Sequence, residues 1–238
     1  MKKIYLFGLL MAGVLLGLTS CNDDNDELTD SRLTYYADLQ LQGDEFMLVP
    51  IGSNFSDPGC IGTLAGEDIT DKIVVEGADE VDPNSPGFYY ITYSAVGSDG
   101  YPASVERTVC VYDPSVTTDM SGEYTVQEGS FRYWFATGAV VPFSGYPVTI
   151  ERIVPSIFSI SDMMGGYYDQ RAGYGPRYMM GGYLQLTNDN EVIALSAIVP
   201  GWSDSYDEFY DGSYDPETHT VTFDLDYAGQ MQFHIILN

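Results

Sequence analysis

The chain has 238 residues, 35 of them acidic and 9 basic, for a formal net charge of −26. Its 45% apolar content can fill a core, which excludes a disordered acidic tail, and its few scattered Lys and Arg exclude a partner held by its phosphate backbone. With 20 Tyr, 25 Gly and 12 Pro, the composition points to an all-β fold rich in turns rather than a helical bundle.

Lys2 and Lys3 open the chain, and Ile4 to Leu18 is apolar and uncharged. That run is short for a membrane span, which needs about 20 residues, and it fits the core of a secretory leader. It ends in Leu18-Thr19-Ser20-Cys21, which resembles the lipobox of bacterial lipoproteins. The resemblance implies a signal peptide over residues 1–20, cleavage before Cys21 and lipidation of Cys21; several acyl chains on one residue anchor stably in a membrane. Cleavage would leave 7 basic against 35 acidic residues. Residues 21–33 read as an acidic tether, because Asn22-Asp23-Asp24-Asn25-Asp26-Glu27 has nothing apolar to pack. Acidic residues just after the lipid-bearing Cys resemble the surface-export signal of Bacteroidetes lipoproteins, although Asn22 at the second position departs from it. The expected location is the outer membrane, lipid-anchored at the cell surface, with the inner leaflet as the alternative.

Residues 34–113 alternate in short runs separated by turn clusters. Phe46-Met47-Leu48-Val49-Pro50 and Ile73-Val74-Val75 read as strands. Tyr89, Ile91, Tyr93 and Ala95 share one face of a third, and Val105, Arg107, Val109 and Val111 alternate in a fourth. Turns fall at Asp57-Pro58-Gly59, Asp82 to Gly87 and Ser98-Asp99-Gly100, so this stretch reads as a small β-sandwich. Cys60 and Cys110 lie outside a reducing compartment, so a disulfide is permitted; spacing alone does not decide it, and Cys110 alternates away from Val109 and Val111. The order Phe55-Ser56-Asp57-Pro58-Gly59, Gly66-Glu67-Asp68-Ile69-Thr70, Val81-Asp82, Gly87 to Ala95 and Arg107 to Val111 resembles the bacterial Ig-like domain of Bacteroidetes surface lipoproteins and of a pesticidal crystal protein. That implies an Ig-like sandwich and leaves function open.

Val116 to Asp119 is a polar junction, and residues 119–238 again alternate strands with tight turns. Val148 with Ile150, Phe158-Ser159-Ile160, Tyr183 to Leu186, Val192 to Val199, Val221 with Phe223 and Leu225, and Met231 to Leu237 form a series of hairpins. This predicts an antiparallel β-barrel-like, lipocalin-like domain, closed or nearly closed to protect its edges, with an open sandwich as second choice. Gly145 to Ile150, Phe158 to Asp162, Gly165 to Asp169 and Gly173-Tyr174-Gly175 look like the carboxy-terminal domain of Bacteroidetes lipoproteins that pair it with the Ig-like domain. That family brings no assigned chemistry to these positions; its members are associated with outer-membrane glycan uptake.

Two aromatic stretches stand out. Gly165 to Tyr183 contains Tyr167, Tyr168, Tyr174, Tyr178 and Tyr183 among six Gly, and reads as a long loop ordered by its own rings. Trp202 to Tyr214 interleaves Trp202, Tyr206, Phe209, Tyr210 and Tyr214 with Asp204, Asp207, Glu208 and Asp211. Flat rings beside carboxylates suit sugars, because rings stack on pyranose faces and carboxylates accept from hydroxyls. The candidate ligand-binding residues are Trp202, Tyr206, Tyr210, Asp204, Asp207, Tyr168 and Tyr174. The competing expectation packs these rings into the fold or between the domains. No cofactor, metal site or catalytic residue is expected: His219 and His234 have no metal-ligand spacing, and no nucleophile elbow or phosphate loop appears. The sequence therefore predicts a non-catalytic, lipid-anchored surface protein. Its partners would be the membrane through Cys21, and polysaccharide or outer-membrane uptake proteins, with no nucleic acid. The alternative is a structural or adhesive protein that binds another protein.

Overall fold

A computed structural model describes residues 34–238. The expected signal peptide, Cys21 and the expected tether lie outside the described residues.

The first sandwich uses seven strands: β1 (Asp38–Leu41), β2 (Phe46–Pro50), β3 (Cys60–Leu64), β4 (Glu67–Asp68), β5 (Val74–Glu76), β6 (Gly87–Val96) and β7 (Pro102–Tyr112). They form one sheet in the order β1-β3-β4 and another in the order β2-β7-β6-β5, with β2 parallel to β7 and the other pairs antiparallel. Alternation sends Ile91, Tyr93, Ala95, Val109 and Val111 into a core shared with Leu39, Val49 and Ile69.

Arg107 occupies a core-facing position of β7 and is 0% exposed. Its guanidinium pairs with Asp57 at 3.1 Å and donates to the carbonyls of Gln42, Asp44 and Gly59 at 2.7–2.9 Å. Tyr93 donates its hydroxyl to the same Asp57. Burial, then the Asp57 carboxylate, pushes the Tyr93 phenol up to about 12. The Asp57-Pro58-Gly59 turn is thus fastened from inside the sandwich.

Cys60 and Cys110 are unbonded and both buried. Cys60 belongs to the core, whereas Cys110 pairs with Phe88 across the ladder and faces the other way. The permitted disulfide is therefore not formed, because the two thiols sit on opposite faces of a sheet.

The second sandwich has ten strands. β8 (Gly122–Thr125), β11 (Pro147–Val154), β12 (Ile157–Ile160), β13 (Gly181–Leu186) and β14 (Val192–Ile198) form one sheet in the order β14-β13-β12-β11-β8. β9 (Phe131–Trp134), β10 (Ala139–Pro142), β15 (Tyr206–Asp215), β16 (Thr220–Tyr227) and β17 (Met231–Leu237) form the other in the order β10-β9-β17-β16-β15. The antiparallel meander matches the expectation, but the closed barrel does not. One corner is a single bridge, Glu191 to Ser213, and the other is Val126 to Leu237. β15 slips register between Tyr206 and Glu208 and again between Tyr210 and Ser213, which interrupts regular pairing along that strand. The two faces interdigitate through Phe158, Met164, Leu184, Phe223 and Phe233, so side chains fill the space a lumen would need.

The two sandwiches touch directly. The Phe88 ring lies 4.5 Å from that of Tyr183, and the Asp113 amide donates to Ser156 Oγ at 2.9 Å. Cys110 and Ile157 are fully buried yet belong to neither core.

Candidate functional site

The aromatic site begins with a buried carboxylate. Asp162, just after β12, accepts backbone N–H groups from Met164 (2.9 Å), Gly166 (2.8 Å) and Met180 (2.9 Å), which ties the start of the Tyr-rich segment to its end. Burial pushes this carboxyl up to about 6 against the pull of its three donors. Gly166 has φ +73, and a Cβ there would meet Tyr146 at 2.7 Å, so glycine is required. The chain then makes one π-turn over Tyr167–Arg171 and a short 3-10 turn over Pro176–Tyr178. The π-turn splays two neighbouring rings, 5.1 Å apart at 80°. Tyr167 goes into the core, while Tyr168 stays half-buried at the surface.

A second loop brings up Trp202. After β14, Ser203 takes the left-handed conformation and donates its N–H to Val199, and the Gly201 N–H donates to the Arg177 carbonyl at 2.8 Å. A Cβ at Gly201 would meet the Tyr178 ring at 2.5 Å, so the close approach of the two loops depends on that glycine. Trp202 contacts Tyr178 (4.8 Å), Tyr168 (4.9 Å, 86°) and Tyr174 (6.1 Å, 83°). Tyr174 is 55% exposed and Trp202 39%. Together with Tyr178 they line a shallow cleft of about 280 Å³. Beneath it the Tyr227 hydroxyl donates to both oxygens of Asp204 at 2.9 Å, and burial followed by that carboxylate raises the phenol well above its usual range.

Of the sequence candidates, Tyr168, Tyr174 and Trp202 come together, with Asp204 one hydrogen bond away through Tyr227. The rest do not join them, because residues 206–215 form a strand and alternation divides their side chains. Tyr206 packs on Phe209 with its hydroxyl 3.5 Å from the Ala194 carbonyl. Tyr210 donates to Asp226 at 3.0 Å on the face turned away from the core. Asp207 accepts the Gly229 N–H at 2.6 Å and fastens the β16–β17 turn. Tyr178 and Gly201 were missed as site residues. Both lie in or beside the two aromatic stretches, but their pairing depends on contact between loops.

Comparison with known proteins follows from this geometry. Residues 39–111 match the family model described as bacterial surface protein, Ig-like domain, and residues 113–238 match the model of a C-terminal domain. The crystal structure of the lipoprotein BT2262 from Bacteroides thetaiotaomicron shares 42% identity with the chain, covering 85% of it and 100% of its own length, with a TM-score of 0.49. The chain belongs to the BT2262 lipoprotein family. The chain joins a bacterial surface Ig-like domain to a second β-rich domain, and its relative is a lipoprotein, which together support a surface-exposed location. Two structures of Clostridium perfringens ZmpB also align. One, of CBM51-2 in complex with GlcNAc and INT domains, has 18% identity and a TM-score of 0.26, covering 52% of this chain and 28% of its own. The other, of the M60 catalytic domain with CBM51-1 and CBM51-2, has 17% identity and a TM-score of 0.28, covering 54% and 14%. At that similarity neither places a site here. No curated protein matches the chain significantly.

Proposed function

We propose that this BT2262-family protein is a non-catalytic glycan-binding accessory protein, anchored in the outer membrane through acylated Cys21 and displayed at the cell surface beside outer-membrane uptake proteins. The observation that carries this is the cleft of Tyr174, Tyr178 and Trp202, which opens to solvent and not onto the seam between the sandwiches. Its rings are held by two loops fastened at Asp162 and Gly201, so the ligand meets a surface already in place. A pyranose stacked on Trp202 would bring its hydroxyls towards the Asp204 carboxylate. The Ig-like sandwich would hold this cleft away from the bilayer.

The adhesive alternative draws on the packing of Trp202 against three tyrosines, which also serves to brace the loops. Affinity electrophoresis of the full chain in non-ionic detergent separates the two, using gels that contain host and dietary polysaccharides. Retardation by at least one polysaccharide, lost in Trp202→Ala, is expected. Free migration through every gel would defeat the glycan proposal in favour of a protein partner.

A further inference from the structure

In a chain with 35 acidic residues, a cation is expected to find a carboxylate, and among the described residues Arg107 pairs with Asp57 and Arg152 with Asp119. Arg132 and Arg171 make no such pair. Instead they converge on one ring: the Arg132 guanidinium carbon lies 4.9 Å and that of Arg171 5.0 Å from the Tyr167 centroid. The two charges are therefore at most about 10 Å apart. Arg132 also lies 5.3 Å over Trp134, and its buried Nε has no hydrogen-bond partner. A guanidinium over a ring keeps in-plane N–H donors for other partners, and Arg132 directs one of its own to the Tyr168 hydroxyl. Arg171 spends one of these, at 3.4 Å, on the Tyr167 hydroxyl. Among the described residues neither guanidinium has a carboxylate to balance it, so each can take an anion from outside the chain.

The pair is also next to the cleft. Tyr167 packs edge-on against Tyr168 at 5.1 Å, and Tyr168 packs against Trp202 at 4.9 Å. We propose that Arg132 and Arg171 form an anion subsite beside the aromatic cleft, so that the glycan recognised there carries an acidic group, a uronate carboxylate or a sulfate ester. This rests on the glycan-binding proposal above and narrows its ligand class. The planar donors of Arg suit both groups, because each presents two oxygens to a guanidinium fork. The net charge of −26 repels a dense polyanion at long range, so the ligand that fits is an otherwise neutral chain bearing acidic sugars at intervals.

The test immobilises the full chain in non-ionic detergent and measures binding of two matched pairs by biolayer interferometry. One pair is a partly de-esterified pectin and its fully methyl-esterified form; the other is a lightly sulfated galactan and its desulfated form. The acidic member of at least one pair should bind about tenfold more tightly than its neutral match, and which pair shows this separates carboxylate from sulfate. Arg171→Gln, at an exposed position, should remove the preference, and Arg171→Glu should reverse it. Arg152→Gln should leave it intact, and Trp202→Ala should weaken both members of the pair. Equal binding of acidic and neutral forms, or a preference that survives Arg171→Gln, overturns the anion subsite while leaving the glycan proposal standing. Binding of none of the four polymers overturns the subsite, while retardation of the chain by another polysaccharide, lost in Trp202→Ala, would leave the glycan proposal standing.

Discussion

Arg107 shows both what alternation reveals about a single residue and what it hides. Its place in the run Val105, Arg107, Val109, Val111 marks it as core-facing, and the structure buries it completely. What the sequence does not display is its set of partners, Asp57 and three carbonyls, supplied by the two loops that flank β2, 48–65 positions away. Arg107→Met keeps the volume but leaves the half-buried Asp57 carboxylate without its cation and three carbonyls without their donor, so it should cost about 3–5 kcal/mol of stability in denaturant unfolding. Asp162 gives a pH signature. The folded chain holds its proton up to about pH 6, whereas an unfolded Asp releases it near 3.9. Stability from this group is therefore full below about pH 4 and is lost as the pH rises through 6. The thermal midpoint of the parent chain minus that of Asp162→Asn should shrink between pH 4.5 and 7; a difference that grows with pH would contradict the assignment.

At the scale of elements, the two aromatic stretches behaved differently for a physical reason. The segment from Gly165 has too many glycines for a regular element, and it does form a loop ordered by its own rings. The segment from Trp202 was expected to act as one aromatic surface, but it contains the strand Tyr206–Asp215. Its register slips at two bulges, so no simple alternation was visible, and Tyr214 and Phe209 went to the core side while Tyr210 went outward. The meander of hairpins was legible because each strand carries its own alternation; the gaps at its corners were not, because they arise from bulges and from the volume of the filling side chains. The β9–β10 hairpin was also missed, since Phe131-Arg132-Tyr133-Trp134 is half-buried throughout and has no polar face. Gly201→Ala tests how the site loops are joined. It should displace the Tyr178 ring and lower polysaccharide affinity several-fold, while the thermal midpoint moves by only a few degrees.

For the whole molecule, the placement of the cysteines separates sandwich from seam. Burial raises both thiols, that of Cys110 to about 11, so neither is a ready thiolate at neutral pH. A thiol reagent should label neither in the native chain and both after denaturation, and reductant should leave the thermal midpoint unchanged; a fall on reduction would reveal a bridge. The contact of Phe88 with Tyr183 and the Ser156 hydrogen bond join the sandwiches away from the aromatic cleft, which leaves the cleft open to solvent. The central claim is that this cleft is where a glycan binds. It is tested most directly by acrylamide quenching of Trp202 as the sole tryptophan, in a Trp134→Phe chain, with and without a polysaccharide that retards the parent. Bound polysaccharide should shield Trp202 and lower its quenching constant at least about twofold. An unchanged constant at saturating polysaccharide would place the binding elsewhere on the molecule and contradict the account.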